Sequence, residues 1–158
     1  MRVKMVEVNT LEPHPKNPRV HPGSAIEKLM QSIKEYGWTN PILLSQEGFI
    51  LSGHARVKAA KRVGVKKVPV ISLPLRGAKA EAYMIADNRL QEETFWDIDT
   101  LKEIIREITS QGMDAAATGF STAEVEALLS EVSAPDTIEG NDEKEPEPRI
   151  CPYCGYEF

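Results

Sequence analysis

Long apolar runs are missing from this chain. No stretch approaches the roughly 20 residues that a bilayer-spanning helix needs, and the opening MRVKMVEVNT lacks the apolar centre of a signal peptide. Cysteine is almost absent: Cys151 and Cys154 are the two present, both among the last eight residues. That excludes a disulfide framework of the kind that staples small secreted folds. The expectation is a cytoplasmic protein with no membrane partner. Apolar residues make up 41% of the 158, slightly below the usual share, so a core can form while part of the chain lies outside it.

What is present is unevenly charged. Residues 1–90 carry 15 Lys and Arg against 7 Asp and Glu, whereas residues 91–158 carry 4 against 17. The net charge of −5 hides a basic first half and an acidic second. A basic domain attracts phosphate-rich ligands, and an acidic tail can compete for the same surface.

The chain is organised around Phe49 to Val70, FILSGHARVKAAKRVGVKKVPV. Phe49-Ile50-Leu51 is long enough for one buried strand. Ser52 and Gly53 interrupt it, and Ala55, Ala59, Ala60 and Val63 then share one face of a helix. Gly64 stops that helix, and Val68-Pro69-Val70-Ile71 predicts the next strand. Gly53-His54-Ala55-Arg56 therefore lies at a strand-to-helix junction, where unpartnered amides and the positive end of the helix dipole suit an anion. Arg56 adds a forked, permanently charged donor. The plainer alternative is a turn glycine with a surface His and Arg.

Around this centre, Val3 to Val8 predicts a half-buried first strand. The prolines of Leu11-Glu-Pro-His-Pro-Lys-Asn-Pro-Arg19 predict an extended connector that carries Arg19 on a stiff loop. Ser24 to Glu27 has the capping-box pattern, opening a helix whose buried face is Ile26, Leu29, Met30 and Ile33. Gly37 ends it, and Trp38 packs at its exit. Pro41 to Leu44 pairs with the Phe49 strand as a hairpin. Ala78 to Leu90 predicts a helix buried on more than one side, ending in the polar cluster Asp87 to Glu93, a candidate ligand wall. Asp97 or Asp99 caps a further helix with the face Leu101, Ile104, Ile105 and Ile108. Ser121 to Glu124 repeats the capping box before Val125, Leu128, Leu129 and Val132. Residues 133–149 have the composition of an acidic, disordered linker. Cys151-Pro-Tyr-Cys154-Gly155 has zinc-knuckle spacing, but two thiolates fill half of a four-ligand site. A shared Zn2+ would then need a second chain or another protein.

With these residues laid out, the chain resembles the ParB/sulfiredoxin superfamily, in particular the N-terminal domain of ParB and its stand-alone phage or plasmid relatives. The resemblance covers about residues 3–95. It rests on His14-Pro-Lys-Asn-Pro-Arg19, on Ser32-Ile33 to Pro41-Ile42, on Gly53-His54-Ala55-Arg56, and on the box beginning Asp87-Asn88. It implies an α+β fold, a small mixed sheet packed with helices, for residues 1–95. The units beyond are a helical extension over 96–132, the linker 133–149 and the knuckle 150–158.

By that resemblance Ser52, Gly53, His54, Ala55 and Arg56 hold the phosphates of CTP or ATP, and Arg19 approaches them from its loop. Asp87 and Asn88 hold phosphate or Mg2+, which prefers hard oxygen ligands. The departures are specific. Leu90 and Gln91 stand where the family has Gln and Arg, and His54 stands where sulfiredoxins have their catalytic Cys, which excludes that activity. No helix-turn-helix follows residue 95, but Lys58, Lys61, Arg62, Lys66 and Lys67 form a basic cluster able to contact a DNA backbone without sequence preference.

Four functions compete. The first is a ParB-like domain that binds, and with turnover hydrolyses, CTP or ATP on or near DNA. The second is a metal-dependent nuclease, which needs carboxylates such as Asp87, Glu92 or Glu93 near the phosphate. The third is an ATP-dependent small-molecule kinase of the serine type, with His54 as general base. The fourth is a non-enzymatic adaptor acting through its tail, with a homodimer or another protein as partner.

Overall fold

The computed structural model describes residues 2–130. Strand β1 is Val3–Glu7, β2 Glu12–Pro13, β3 Ile42–Leu44, β4 Phe49–Ser52 and β5 Lys67–Ser72. They form one mixed sheet in the order β1-β5-β3-β4-β2. The β1–β5 and β3–β4 pairs are antiparallel, and β5–β3 and β4–β2 are parallel.

Successive side chains on a strand point to opposite faces, and the core divides accordingly. Ile42, Leu44, Ile50, Val68 and Val70 pack with Val57 and Ala60 of α2, His54–Val63. Leu43, Leu51 and Ile71 pack with Ala80, Tyr83 and Met84 of α3, Gly77–Arg89. Helix α1, Gly23–Tyr36, lies against α2, and Trp38 at its exit packs on the first cluster. The expected α+β class, a mixed sheet between helices, is therefore found. Among the described residues no helix is long and apolar enough to cross a membrane.

Some local expectations change. Val8 leaves the first strand for a 3-10 turn, where its amide donates to the Lys66 carbonyl at 2.9 Å and its side chain is buried. The proline-rich connector contains β2, which pairs with Phe49 and Ile50 at the sheet edge, a place a proline tolerates. The capping box expected at Ser24 does not form. Pro22 takes the N-cap position and no side chain caps the helix, so Ser24 is already inside the first turn. Helix α3 buries one face only, through Ala80 and Met84, and leaves Ile85 exposed, because it packs on one side of the sheet as an outer layer.

Beyond α3 come a 3-10 turn at Leu90–Glu93, α4 at Ile98–Ser110, a second turn at Ala115–Thr118 and α5 at Thr122–Ser130. Asp97 caps α4, its carboxylate accepting from the Thr100 amide at 3.0 Å. This extension sits against α1: Lys28 pairs with Glu124 at 2.9 Å, and Tyr36 Oη donates to the Ala117 carbonyl at 3.2 Å. Val132, the linker 133–149, the knuckle 150–158 and its expected zinc at Cys151 and Cys154 lie outside the described residues.

Candidate functional site

The site begins at the junction of β4 and α2. Gly53 is the N-cap of α2 at φ 99°. Its left-handed backbone suits glycine, and a Cβ there would drive into the Ile42 Cδ1 methyl. The Gly53 carbonyl accepts the Val57 amide at 3.0 Å, and no side chain caps the helix. The opening amides, those of His54, Ala55 and Arg56, precede the first intrahelical bond and add to the positive end of the dipole.

These amides border a cavity of about 350 Å3. All eight residues expected to bind phosphate line it: Arg19, Ser52, Gly53, His54, Ala55, Arg56, Asp87 and Asn88. Three further polar residues line it that sequence reasoning did not assign, His21, Lys28 and Gln91. Lys28 reaches the cavity because α1 packs on α2, a long-range contact with no local signature. Gln91 belongs to the polar cluster after α3, which did point to a wall.

Charge in the cavity is mostly positive: Arg19, Lys28 and Arg56 face a single lining carboxylate, Asp87. Among the described residues no carboxylate lies within ion-pair distance of Arg56, whereas Lys28 is held by Glu124 and Arg19 by Glu92. Glu92, expected as a catalytic residue, does not line the cavity; it stands at the edge, paired to Arg19 and 3.8 Å from Arg89. Asp87 accepts from Tyr83 Oη at 3.4 Å, and burial followed by the Asp87 charge raises the Tyr83 pKa. Asn88, which lines the cavity, donates its Nδ2 to the Met84 carbonyl at 2.8 Å, and its side-chain oxygen remains an acceptor.

His54 is buried. Its Nε2 accepts from the His14 amide at 3.3 Å, and its ring stacks on His21 with centroids 6.4 Å apart. Burial, then His21, His14 and Lys58, lower its pKa to about 4. Its accepting lone pair is thus committed and its basicity is far below neutral, both unfavourable to a general base. Burial, Lys58 and Arg19 lower the His21 pKa as well.

A second cavity of about 380 Å3 lies beside the first, with Leu11, Ile50 and Val57 among its apolar residues and Lys58 and Lys61 among its basic ones. Arg62, Lys66 and Lys67 are exposed and line neither cavity, and Lys67 pairs with Glu7 at 3.5 Å.

A five-stranded mixed sheet with a glycine-led helix opening onto a cationic cavity defines a class: small α+β domains with a pocket at a strand-to-helix junction. Within that class, the chain belongs to the ParB N-terminal domain family, whose model matches residues 1–88. It is 44% identical over 63 residues to ParB-like nuclease domain-containing protein YnaK of Escherichia coli (strain K12), covering 40% of this chain and 72% of that one. It is 31% identical over 105 residues to stage 0 sporulation protein J of Bacillus subtilis (strain 168), covering 64% of this chain but 36% of the relative. Among solved structures it resembles the C-terminally truncated chromosome-partitioning protein ParB of Caulobacter crescentus complexed with CTP-gamma-S. The TM-score is 0.69 at 22% identity, over 82% of this chain and 77% of that one, a likeness of fold.

Proposed function

We propose that this chain is a nucleotide-binding ParB-like domain that seats the phosphates of CTP or ATP at the start of α2. One observation carries the reading: the uncapped amides after Gly53 converge with Arg19, Lys28 and Arg56 on a single cavity of about 350 Å3. A multiply charged anion is what such a place stabilises, through oriented N–H groups and charge-assisted hydrogen bonds in partial shelter from water. The Caulobacter neighbour, complexed with CTP-gamma-S, supports a nucleotide over a simple anion. CTP and ATP remain the two candidates.

Mg2+ suits two other residues that line the cavity. Asp87 offers a carboxylate and Asn88 an amide oxygen, the hard ligands this ion takes alongside phosphate oxygens. When bound, it would neutralise phosphate charge. The chain's own part is to grip: the amides and Arg56 hold the phosphates, Arg19 closes from the loop, and Lys28 approaches from α1. Asp87 is the one carboxylate lining the cavity among the described residues. With it given to the metal, no second carboxylate remains to activate a water, so we expect binding with slow turnover and no efficient DNA cleavage.

The exposed basic face of α2 and the turn after it, Lys58, Lys61, Arg62 and Lys66, supports a second contact, to a DNA backbone, without sequence preference.

Calorimetric titration with CTP and with ATP, each with magnesium, tests the reading. Binding of one or both is expected, weakened at least tenfold by Arg56→Ala through loss of a charge-assisted pair. If neither nucleotide binds, the reading is wrong. For DNA, affinity must fall steeply as salt rises.

A further inference from the structure

His54 is one of two residues, with Arg19, that line both cavities. An imidazole nitrogen that accepts a hydrogen bond carries no proton, so with Nε2 accepting from the His14 amide the neutral ring keeps its proton on Nδ1. That bond is the first of a series running to Arg19. His14 Nδ1 accepts from the Lys16 amide at 3.2 Å, the His14 carbonyl from the Asn17 amide at 3.0 Å, and Asn17 Oδ1 from the Arg19 amide at 3.1 Å. The loop is therefore folded on itself and joined through His54 to the first turn of α2. Phe49 of β4 steadies the joint, its ring meeting the His14 ring edge-on at 5.7 Å.

We propose that His54 is a positioning residue: as the neutral Nδ1–H tautomer it pins the His14–Arg19 loop to the start of α2, sets where the Arg19 guanidinium stands over the cavity, and takes no proton from a substrate. The groups facing it agree. Burial first, then His21 and His14 from the loop and Lys58 from α2, disfavour a charged ring, so it stays neutral to about pH 4, and Arg19, which lines both cavities with it, adds a further cation nearby. Protonation would put two N–H donors against each other and open the joint. The effect on ligand binding rests on the nucleotide reading above, whereas the tautomer and the loop position do not.

Long-range proton–nitrogen spectra of the imidazoles in the full chain test the first half. His54 is expected as Nδ1–H with a bare Nε2, unchanged between pH 8 and about pH 5. An Nε2–H tautomer, or a midpoint near the ordinary histidine value of about 6.5, overturns the proposal. Titration with inorganic tripolyphosphate tests the second. His54→Ala should weaken binding roughly fivefold to tenfold, the worth of about one hydrogen bond. His54→Gln, which keeps a neutral acceptor, should restore most of it. In an Arg19→Ala background His54→Ala should cost almost nothing further, because both act through the same guanidinium. Additive losses overturn the proposal. If wild-type protein binds neither tripolyphosphate nor CTP or ATP, the nucleotide reading falls while this one is still decided by the Lys16, Asn17 and Arg19 amide resonances. Their displacement in His54→Ala and recovery in His54→Gln sustains it, and unchanged positions end it.

Discussion

The inner and outer walls of the cavity are held by different physics. At the inner wall, the β4–α2 junction, Gly53 has a backbone and a neighbour that disfavour a side chain, and Val57, Ala59 and Ala60 are buried behind it. At the outer wall, Gln91 lines the cavity from a loosely packed segment, Arg89 to Ile98, in which Leu90 is 67%, Phe95 95% and Trp96 64% exposed. What ties that segment to the rest is an Arg19–Glu92 pair and a tilted Trp96–Phe120 ring contact at 6.0 Å, with an Arg89–Glu93 pair inside it. Exposed ion pairs contribute about 0–1 kcal/mol each and weaken with salt. Close packing is neither screened nor easily replaced. The inner wall is therefore held by close packing, and the outer wall by contacts that salt weakens.

The largest effect expected is at the inner wall. Gly53→Ala forces a side chain into the left-handed region and against Ile42, and should cost roughly 2–4 kcal/mol. Thermal unfolding should shift down by roughly 10 °C. A shift of only a degree or two would mean that the junction yields, and the contrast between the walls would be lost.

Next is the pH dependence of the same wall. The folded-state pKa of His54 lies at about 4, below its ordinary 6.5, so between these values the unfolded chain binds the proton that the folded chain refuses. Stability from this group is full above about pH 6.5 and declines as pH falls toward 4, by about 2 kcal/mol after discounting for solvent screening. His21 acts in the same direction. Denaturant unfolding at pH 7.5 and 5 checks this, and His54→Gln should remove a good part of the difference.

Breaking the outer wall should cost less. Glu92→Gln removes the partner of Arg19, and stability should change by less than about 1 kcal/mol. Tripolyphosphate affinity should rise severalfold, because the guanidinium no longer has to leave a carboxylate. A fall in affinity would mean that Glu92 holds Arg19 in its binding position.

The same division explains what was legible in the sequence. The inner wall is local: an apolar run, a glycine and a helical stripe are consecutive, so the strand, the turn and the α2 start could be placed, and Arg56 with them. The phosphate and metal roles of Arg19 and Asp87 came from the family resemblance, although Asp87 also opens the polar cluster that pointed to a wall, and both lie in the same cavity. Lys28 and His21 were not assigned because they arrive through α1 packing and the loop's path, neither of which leaves a periodic trace. Glu92 looked like a site residue by composition, yet its neighbour is Arg19, 73 positions away. The two-residue β2 is too short for any alternation to reveal.

The smallest effect separates two helix starts that look alike on paper. Ser24 and Ser121 each precede a Glu by three residues, but the box forms at one of them. The Ser121 amide donates to Glu124 at 2.6 Å, and the Glu124 amide to Ser121 Oγ at 3.3 Å. That backbone bond, then Lys28 and the Ser121 side chain, lower the Glu124 pKa to about 2. At α1, Pro22 has displaced Ser24 from the cap. Ser121→Ala should therefore cost about 1 kcal/mol and raise the Glu124 pKa, which carbon-detected NMR titration reads. Ser24→Ala should stay within about 0.5 kcal/mol, as exposed substitutions do. The same contrast applies to these two helix starts outside the walls: α1 is set by its packing on α2, and α5 depends on its own cap. Equal costs at the two serines would show that local capping matters as much in the packed half, and the contrast would not extend beyond the walls.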